Sequence, residues 1–292
     1  FGDRGVPAVV GHHSEAGEKA GNSDGHLKEP MTAKRGEGYS FNKPFPNGSD
    51  RLVETEKTTT GRVEIGIIML DTVFPRIPGD IGNPLTFPFP VRYQVVRGAS
   101  PWRVVKEADV RLLRPFVEAA RSLQNEGVKA IATSCGFLAI FQRELANAVR
   151  IPVFSSSLLQ VPLACAMIGC DRKVGVLTAS AESLTDRHFA GIGLRDISMV
   201  VMGMEDAEEF SAAFIEGKSS LDPEKVRNEM IRAAERMALL HPDIGALVLE
   251  CTNMPPYARA VQQVLNVPVF DVVTLVRYVH SILDRKEFSG QA

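Results

Sequence analysis

The amino-acid sequence predicts an α/β protein of two similar parallel-sheet domains, related by pseudo-twofold symmetry, with the active site in the interdomain cleft. Three observations predict it. Short runs rich in Val, Ile and Leu alternate with segments of helical periodicity, the pattern of βαβ units. These runs are apolar throughout, as expected of strands covered on both faces. The pattern also occurs twice. Ala132-Thr133-Ser134-Cys135-Gly136-Phe137 is followed by Ile151-Pro152-Val153-Phe154, and Val248-Leu249-Glu250-Cys251-Thr252-Asn253 by Val267-Pro268-Val269-Phe270. In both cases the proline comes 17 residues after the cysteine. Gly66-Ile-Ile-Met-Leu-Asp-Thr72 likewise matches Gly175-Val-Leu-Thr-Ala-Ser180.

Residues 1–60 are rich in Gly, Lys, Glu, Ser and Asn. They bury too little apolar surface to offset their ordering entropy and are expected to form a disordered tail. The chain begins at Phe1, and Met31 is a plausible alternative start. A strand is expected over 63–71, then a loop dense in turn formers (Phe74 to Pro84), of a length that is usually functional or mobile. Extended structure resumes over 87–93. Val110, Leu113, Phe116, Val117, Ala120 and Leu123 recur at helical spacing and predict a helix over 106–126, stopped by Gly127. A strand at 128–134, a helix to 149, a strand at 152–154 and an apolar helix over 157–169 follow. The second half is expected to contain strands at 173–178, 197–202, 245–250 and 268–271. Its helices are expected from Ser183 and over 206–216, 223–240, 255–265 and 273–285. The domains expected are 61–156 with the returning 273–292, and 157–272.

The chain has 292 residues, 45% hydrophobic and 23% charged, with a formal charge of −2. That is ordinary globular composition. It offers no electrostatic reason for nucleic acid or an anionic membrane as partner. No apolar run reaches the roughly 18 residues of a membrane span, and no signal-peptide core is visible at the N-terminus. With four cysteines, this predicts free thiols in a reducing, cytoplasmic setting. The cysteine spacings fit no zinc motif, so no metal is expected. Gly191-Ile192-Gly193 lacks the third glycine of a dinucleotide fingerprint, and no Walker lysine motif occurs.

In open α/β sheets, ligands bind beyond the C-terminal strand ends, where Cys135 and Cys251 both fall. Cys165 and Cys170 sit in an apolar helix and read as packing. At a helix start, free N–H groups lower a thiol pKa toward a usable thiolate. Two thiols facing each other suit deprotonation of a carbon next to a carboxylate, one as base and the other as acid. The ene-diolate needs preorganised donors, which Ser134, Gly136, Phe137, Thr252 and Asn253 offer. Reprotonation on the opposite face gives racemisation; a leaving group on the β-carbon gives elimination. His188 reads as a surface helix residue and His241 as a turn, so a Cys-His hydrolase is not expected.

These motifs resemble the aspartate/glutamate (hydantoin) racemase superfamily over residues 63–285. Gly66 to Thr72, Gly79-Asp-Ile-Gly-Asn83, Thr133 to Leu138 and Leu249 to Thr252 look most like its algal-type dimethylsulfoniopropionate lyase branch and bacterial relatives of that branch. The resemblance implies a cofactor-independent enzyme with Cys135 and Cys251 as the catalytic pair, a small carboxylate substrate and a homo-oligomer, dimer or tetramer. It also implies that Asp71, Thr72, Thr178, Ala179 and Ser180 border the site, although Asp, Thr and Ser there equally suit turns and caps. Tyr93 and Arg92 are candidates to reach a carboxylate, Asp80 and Asn83 to close over it, and Tyr257 to line the cleft. Amino-acid racemases of the family carry Cys-Asn-Thr where this chain has Cys135-Gly136-Phe137, so a different substrate shape is expected. Two retained cysteines disfavour the decarboxylase branch. Racemisation is the leading expectation and dimethylsulfoniopropionate-type elimination the alternative, with non-catalytic metabolite binding a third reading.

Overall fold

The computed structural model describes residues 64–195 and 197–287; the tail expected over 1–60 lies outside them. Strand β1 (Ile65–Leu70) is buried along its whole length. Its alternation serves two cores: Ile65, Ile67 and Met69 enter one apolar layer, Ile68 and Leu70 the other. A Cβ at Gly66 would lie 3.0 Å from Leu123 Cδ1 and 3.1 Å from Val128 Cγ2, so the bare glycine lets the covering helix lie close.

The loop after β1 leads to β2 (Val91–Val96), parallel to β1 from Ile65↔Val91 to Leu70↔Val96. Helix α1 (Pro101–Val105) starts at Ser100, whose hydroxyl accepts from Arg103 N. Helix α2 (Leu113–Asn125) follows. The sequence periodicity runs a single helix from 106, but the structure interrupts it. Ala108 takes the left-handed φ of 45°, and Asp109 caps a 3-10 turn over Val110–Leu112. Strand β3 (Ala130–Thr133) leads through a 3-10 stretch, Gly136–Phe141, into α3 (Gln142–Ala148) and β4 (Val153–Phe154). The first sheet has the order β2-β1-β3-β4, all parallel.

The plan then repeats. Helix α4 (Val161–Met167), β5 (Lys173–Thr178), α5 (Asp186–Gly191) and β6 (Met199–Gly203) are followed by α6 (Glu208–Phe214) and α7 (Pro223–Leu240). Helix α7 has the bounds its sequence predicts, because Pro223 opens it and Asp222 accepts the N–H groups of Glu224 and Lys225. Strand β7 (Ile244–Leu249), α8 (Ala258–Leu265) and β8 (Val269–Phe270) complete a second parallel sheet, β6-β5-β7-β8. Gly175 repeats the role of Gly66: a Cβ there would meet Ile244 Cδ1 and Met237 Sδ at 3.0 Å.

The last helix, α9 (Val272–Leu283), starts with a capping box between Asp271 and Thr274. It lays Val272, Val273, Leu275 and Val276 on the Ile65, Ile67 and Met69 face of the first sheet. Among the described residues no helix is long and apolar enough to cross a membrane.

Candidate active site

Strands β3 and β7 hold equivalent places in the two sheets, and each hands its chain to a cysteine two residues on. Thr133 pairs with Ile68 in the first sheet as Leu249 pairs with Leu177 in the second. Cys135 and Cys251 therefore leave their sheets at matching levels, and both line one narrow cavity of about 20 Å³. That is room for little more than a water molecule. The halves are tied together around it. Thr252 Oγ1 donates to Ser134 O at 2.6 Å, Lys106 Nζ to Ser180 Oγ at 3.1 Å, and Asn253 Nδ2 to Asp80 Oδ2 at 2.7 Å.

Both cysteines are half-buried, and the expected lowering of their pKa is reversed. Backbone amides of Phe137 and Leu138 do point at the Cys135 sulfur, and that of Asn253 at Cys251. Desolvation outweighs them, and the Glu250 carboxylate adds to it, so both thiols are pushed up. The Cys251 thiol donates to Asn253 Oδ1 at 3.5 Å.

Of the residues singled out from sequence, Thr72, Ser134, Gly136, Phe137, Ala179, Thr252 and Asn253 share the cavity with the cysteines. The others do not line it. Asp71 accepts from Gly98 N at 2.9 Å and Arg97 at 3.3 Å. Thr178 turns its hydroxyl to Glu250 Oε2 at 2.8 Å, and Ser180 is taken up by Lys106. Tyr93 packs in the layer under α9, with its OH donating to Ile81 O at 3.1 Å. Arg92 pairs with Glu64 and Glu126. Asn83 caps a 3-10 turn by accepting from Leu85 N. Tyr257 is buried outside the cavity. His188 is not a surface residue: it is buried, accepts from Thr185 N at 3.1 Å and packs edge-on against Phe137. The Thr185 capping box draws it inward.

Sequence reasoning passed over the cavity's cation. Arg76, in the loop after β1, is 3% exposed at its side chain and pairs with Asp80 at 2.9 Å. Its Nη2 donates to Thr72 Oγ1 at 2.8 Å, and its guanidinium lies 4.3 Å above the Phe74 ring. Among the described residues its buried Nε has no hydrogen-bond partner. Phe74 and Phe214, edge to face at 5.0 Å, form an aromatic wall, and Phe137 adds a third ring. Arg76 stood in a loop read for its turn formers and for Asp80 and Asn83; the one available signal was a lone basic residue among Pro and Gly.

Residues 102–276 match the sequence profile of the family described as Asp/Glu/Hydantoin racemase. Over 256 residues the chain is 31% identical to a dimethylsulfoniopropionate lyase of Durusdinium sp. clade D, covering 82% of this chain and 84% of that protein. Dimethylsulfoniopropionate lyase 3 of Emiliania huxleyi (strain CCMP1516) is 29% identical over 264 residues, covering 86% and 67%. Among solved structures, the aspartate racemase of Picrophilus torridus shares the fold with a TM-score of 0.50 at 14% identity, over 78% of this chain and 96% of that one.

Proposed function

Because the chain belongs to the Asp/Glu/hydantoin racemase family, we propose that Cys135 and Cys251 deprotonate the carbon next to a carboxylate. The reaction we propose is β-elimination from a small sulfonium carboxylate, of the dimethylsulfoniopropionate-lyase type. The observation that carries this reading is the cavity's pairing of one buried arginine with aromatic walls. Arg76 lines the cavity beside both cysteines, and guanidinium recognises a carboxylate by charge and shape together. The rings of Phe74, Phe137 and Phe214 that line the cavity suit an onium group, which aromatic rings attract without a counter-charge.

In this reading one cysteine, as thiolate, takes the proton from the α-carbon. Arg76 holds the negative charge that builds on the carboxylate oxygens. The former C–H pair becomes the new C=C bond. The β-carbon–sulfur bond breaks and its pair leaves on sulfur, so the sulfonium departs as neutral dimethyl sulfide and acrylate remains. The narrow cavity strengthens the Arg76 contact and leaves little room for water to compete for the thiolate.

Racemisation is the second reading, favoured by the two thiols at matching strand ends, an arrangement that offers a base and an acid on one carbon. Proton NMR in D2O with the reduced protein separates the two. New vinyl signals with released dimethyl sulfide from dimethylsulfoniopropionate support elimination. Loss of an α-proton signal from aspartate or glutamate without a new product supports racemisation and sinks the lyase reading. The Cys135→Ser/Cys251→Ser double variant is expected to do neither.

A further inference from the structure

Glu250 precedes Cys251 as Ser134 precedes Cys135. Glu250 N donates to Leu177 O at 2.8 Å, and Ser134 N to the matching Ile68 O at 2.9 Å. The two side chains also serve the same backbone donor. Ser134 Oγ accepts from Leu70 N at 2.9 Å, and the Glu250 carboxyl faces Ala179 N, the residue that matches Leu70. A hydroxyl therefore suffices for the architecture. The second half uses a carboxylate instead, with no exposed surface. Its Oε2 takes up Thr178 Oγ1. Its Oε1 has no hydrogen-bond partner among the described residues and lies against the backbone of Gly136, the residue after Cys135. The surplus oxygen thus sits between the two cysteine-bearing loops, where a Cβ on Gly136 would collide with it.

We infer that Glu250 is a positioning residue for the thiol pair: whether its carboxyl is neutral or charged decides how much thiolate Cys135 and Cys251 carry. It does not line the cavity and acts through the sulfurs. The use made of that control rests on the proposed chemistry; the control itself does not.

The groups around it are few. From the loop after β1, Arg76 favours a thiolate at Cys135 and Asp80 opposes one at Cys251. From β5 come the Thr178 hydroxyl and the Ala179 amide. From the 3-10 turn Ser157–Gln160 comes the Ser157 hydroxyl, which donates to Leu249 O at 2.6 Å and brings no charge. Burial raises the Glu250 carboxyl to about 7, and its charge in turn raises both thiols. Below that pH, thiolate grows with pH as for any thiol. Above it, each gain is cancelled by the charge appearing on Glu250, and the thiolate fraction levels off.

Iodoacetamide alkylation of Cys135 and Cys251, resolved by peptide mass spectrometry over pH 6 to 9, reads the thiolate. The expected wild-type rates flatten above about pH 7. Those of Glu250→Gln continue to rise roughly tenfold per pH unit. Glu250→Ser, which keeps the Ala179 contact as Ser134 keeps that of Leu70, is expected to behave as Glu250→Gln does. Failure of both variants to exceed the wild-type rate anywhere above pH 7 overturns the inference. Alkylation needs no substrate. Diverging profiles in a protein inert toward every carboxylate would keep this inference and remove the proposed reaction; turnover with parallel profiles would do the reverse.

Discussion

Arg76 and Asp80 form a buried ion pair in which both Asp80 oxygens are engaged, while Arg76 Nε has no partner among the described residues. Asp80 also accepts from Gly82 N at 2.7 Å and from Asn253. Removing one member strands the other, at about 3–5 kcal/mol, so a test of substrate binding must keep the charge. Arg76→Lys does so while losing the planar fork. We expect kcat/KM for the carboxylate to fall about 10–100-fold with an unchanged circular dichroism spectrum. Glu250 gives a stability prediction. Its carboxyl sits near 4.5 in an unfolded chain and at about 7 in the folded one, so the folded state holds the proton more tightly. That stabilisation is complete below about pH 4.5 and is lost as pH rises through about 7. Glu250→Gln should therefore gain on the wild type between pH 4.5 and pH 8, on the order of 3 kcal/mol. Denaturant melts at the two pH values measure it, and an equal offset at both would refute it. The cysteines were legible in the sequence because a repeat marked them. Arg76 and Glu250 were not assigned roles: the neighbours of Glu250 (Thr178 on β5, Gly136 in the turn after β3) are close only in the folded chain, and Arg76, whose partners Thr72 and Asp80 are near in sequence, is marked only by its burial beside the cysteines.

At the scale of elements, duplication made most strands readable, since buried parallel strands are unbroken aliphatic runs and each half vouches for the other. Strand β5 has the bounds its sequence predicts, and so does α7 with its Asp222-Pro223 start. Helix α1 escaped notice because five residues hold little more than one helical period. The start of α2 was misplaced because apolar spacing continues through Ala108 and Asp109 while the backbone does not. The repeated strand glycines give a matched test. At Gly66 and at Gly175 a Cβ falls 3.0 Å from core side chains, tight enough that the neighbours must shift by a few tenths of an ångström. Gly66→Ala and Gly175→Ala should each lower the unfolding free energy by about 1–3 kcal/mol in chemical denaturation. A neutral result at one site alone would mean that the two helix–strand contacts are not equivalent.

Across the whole molecule, neither half holds the proposed site alone. Cys135 and Arg76 come from the first sheet's loops, Cys251 and Asn253 from the second's, and the hydrogen bonds between them close a space too small for a substrate. Ligand binding must part these loops, so Asn253→Ala, which removes one tie, should speed alkylation of both cysteines at fixed pH. Unchanged rates would locate the gate elsewhere. The placement of α9 has a temporal consequence. Until residue 283 has left the ribosome tunnel, the Ile65, Ile67 and Met69 face of the first sheet stays without its helical cover. The half synthesised first is then the half completed last, and a nascent chain stalled before Val272 would present that oily face to chaperones.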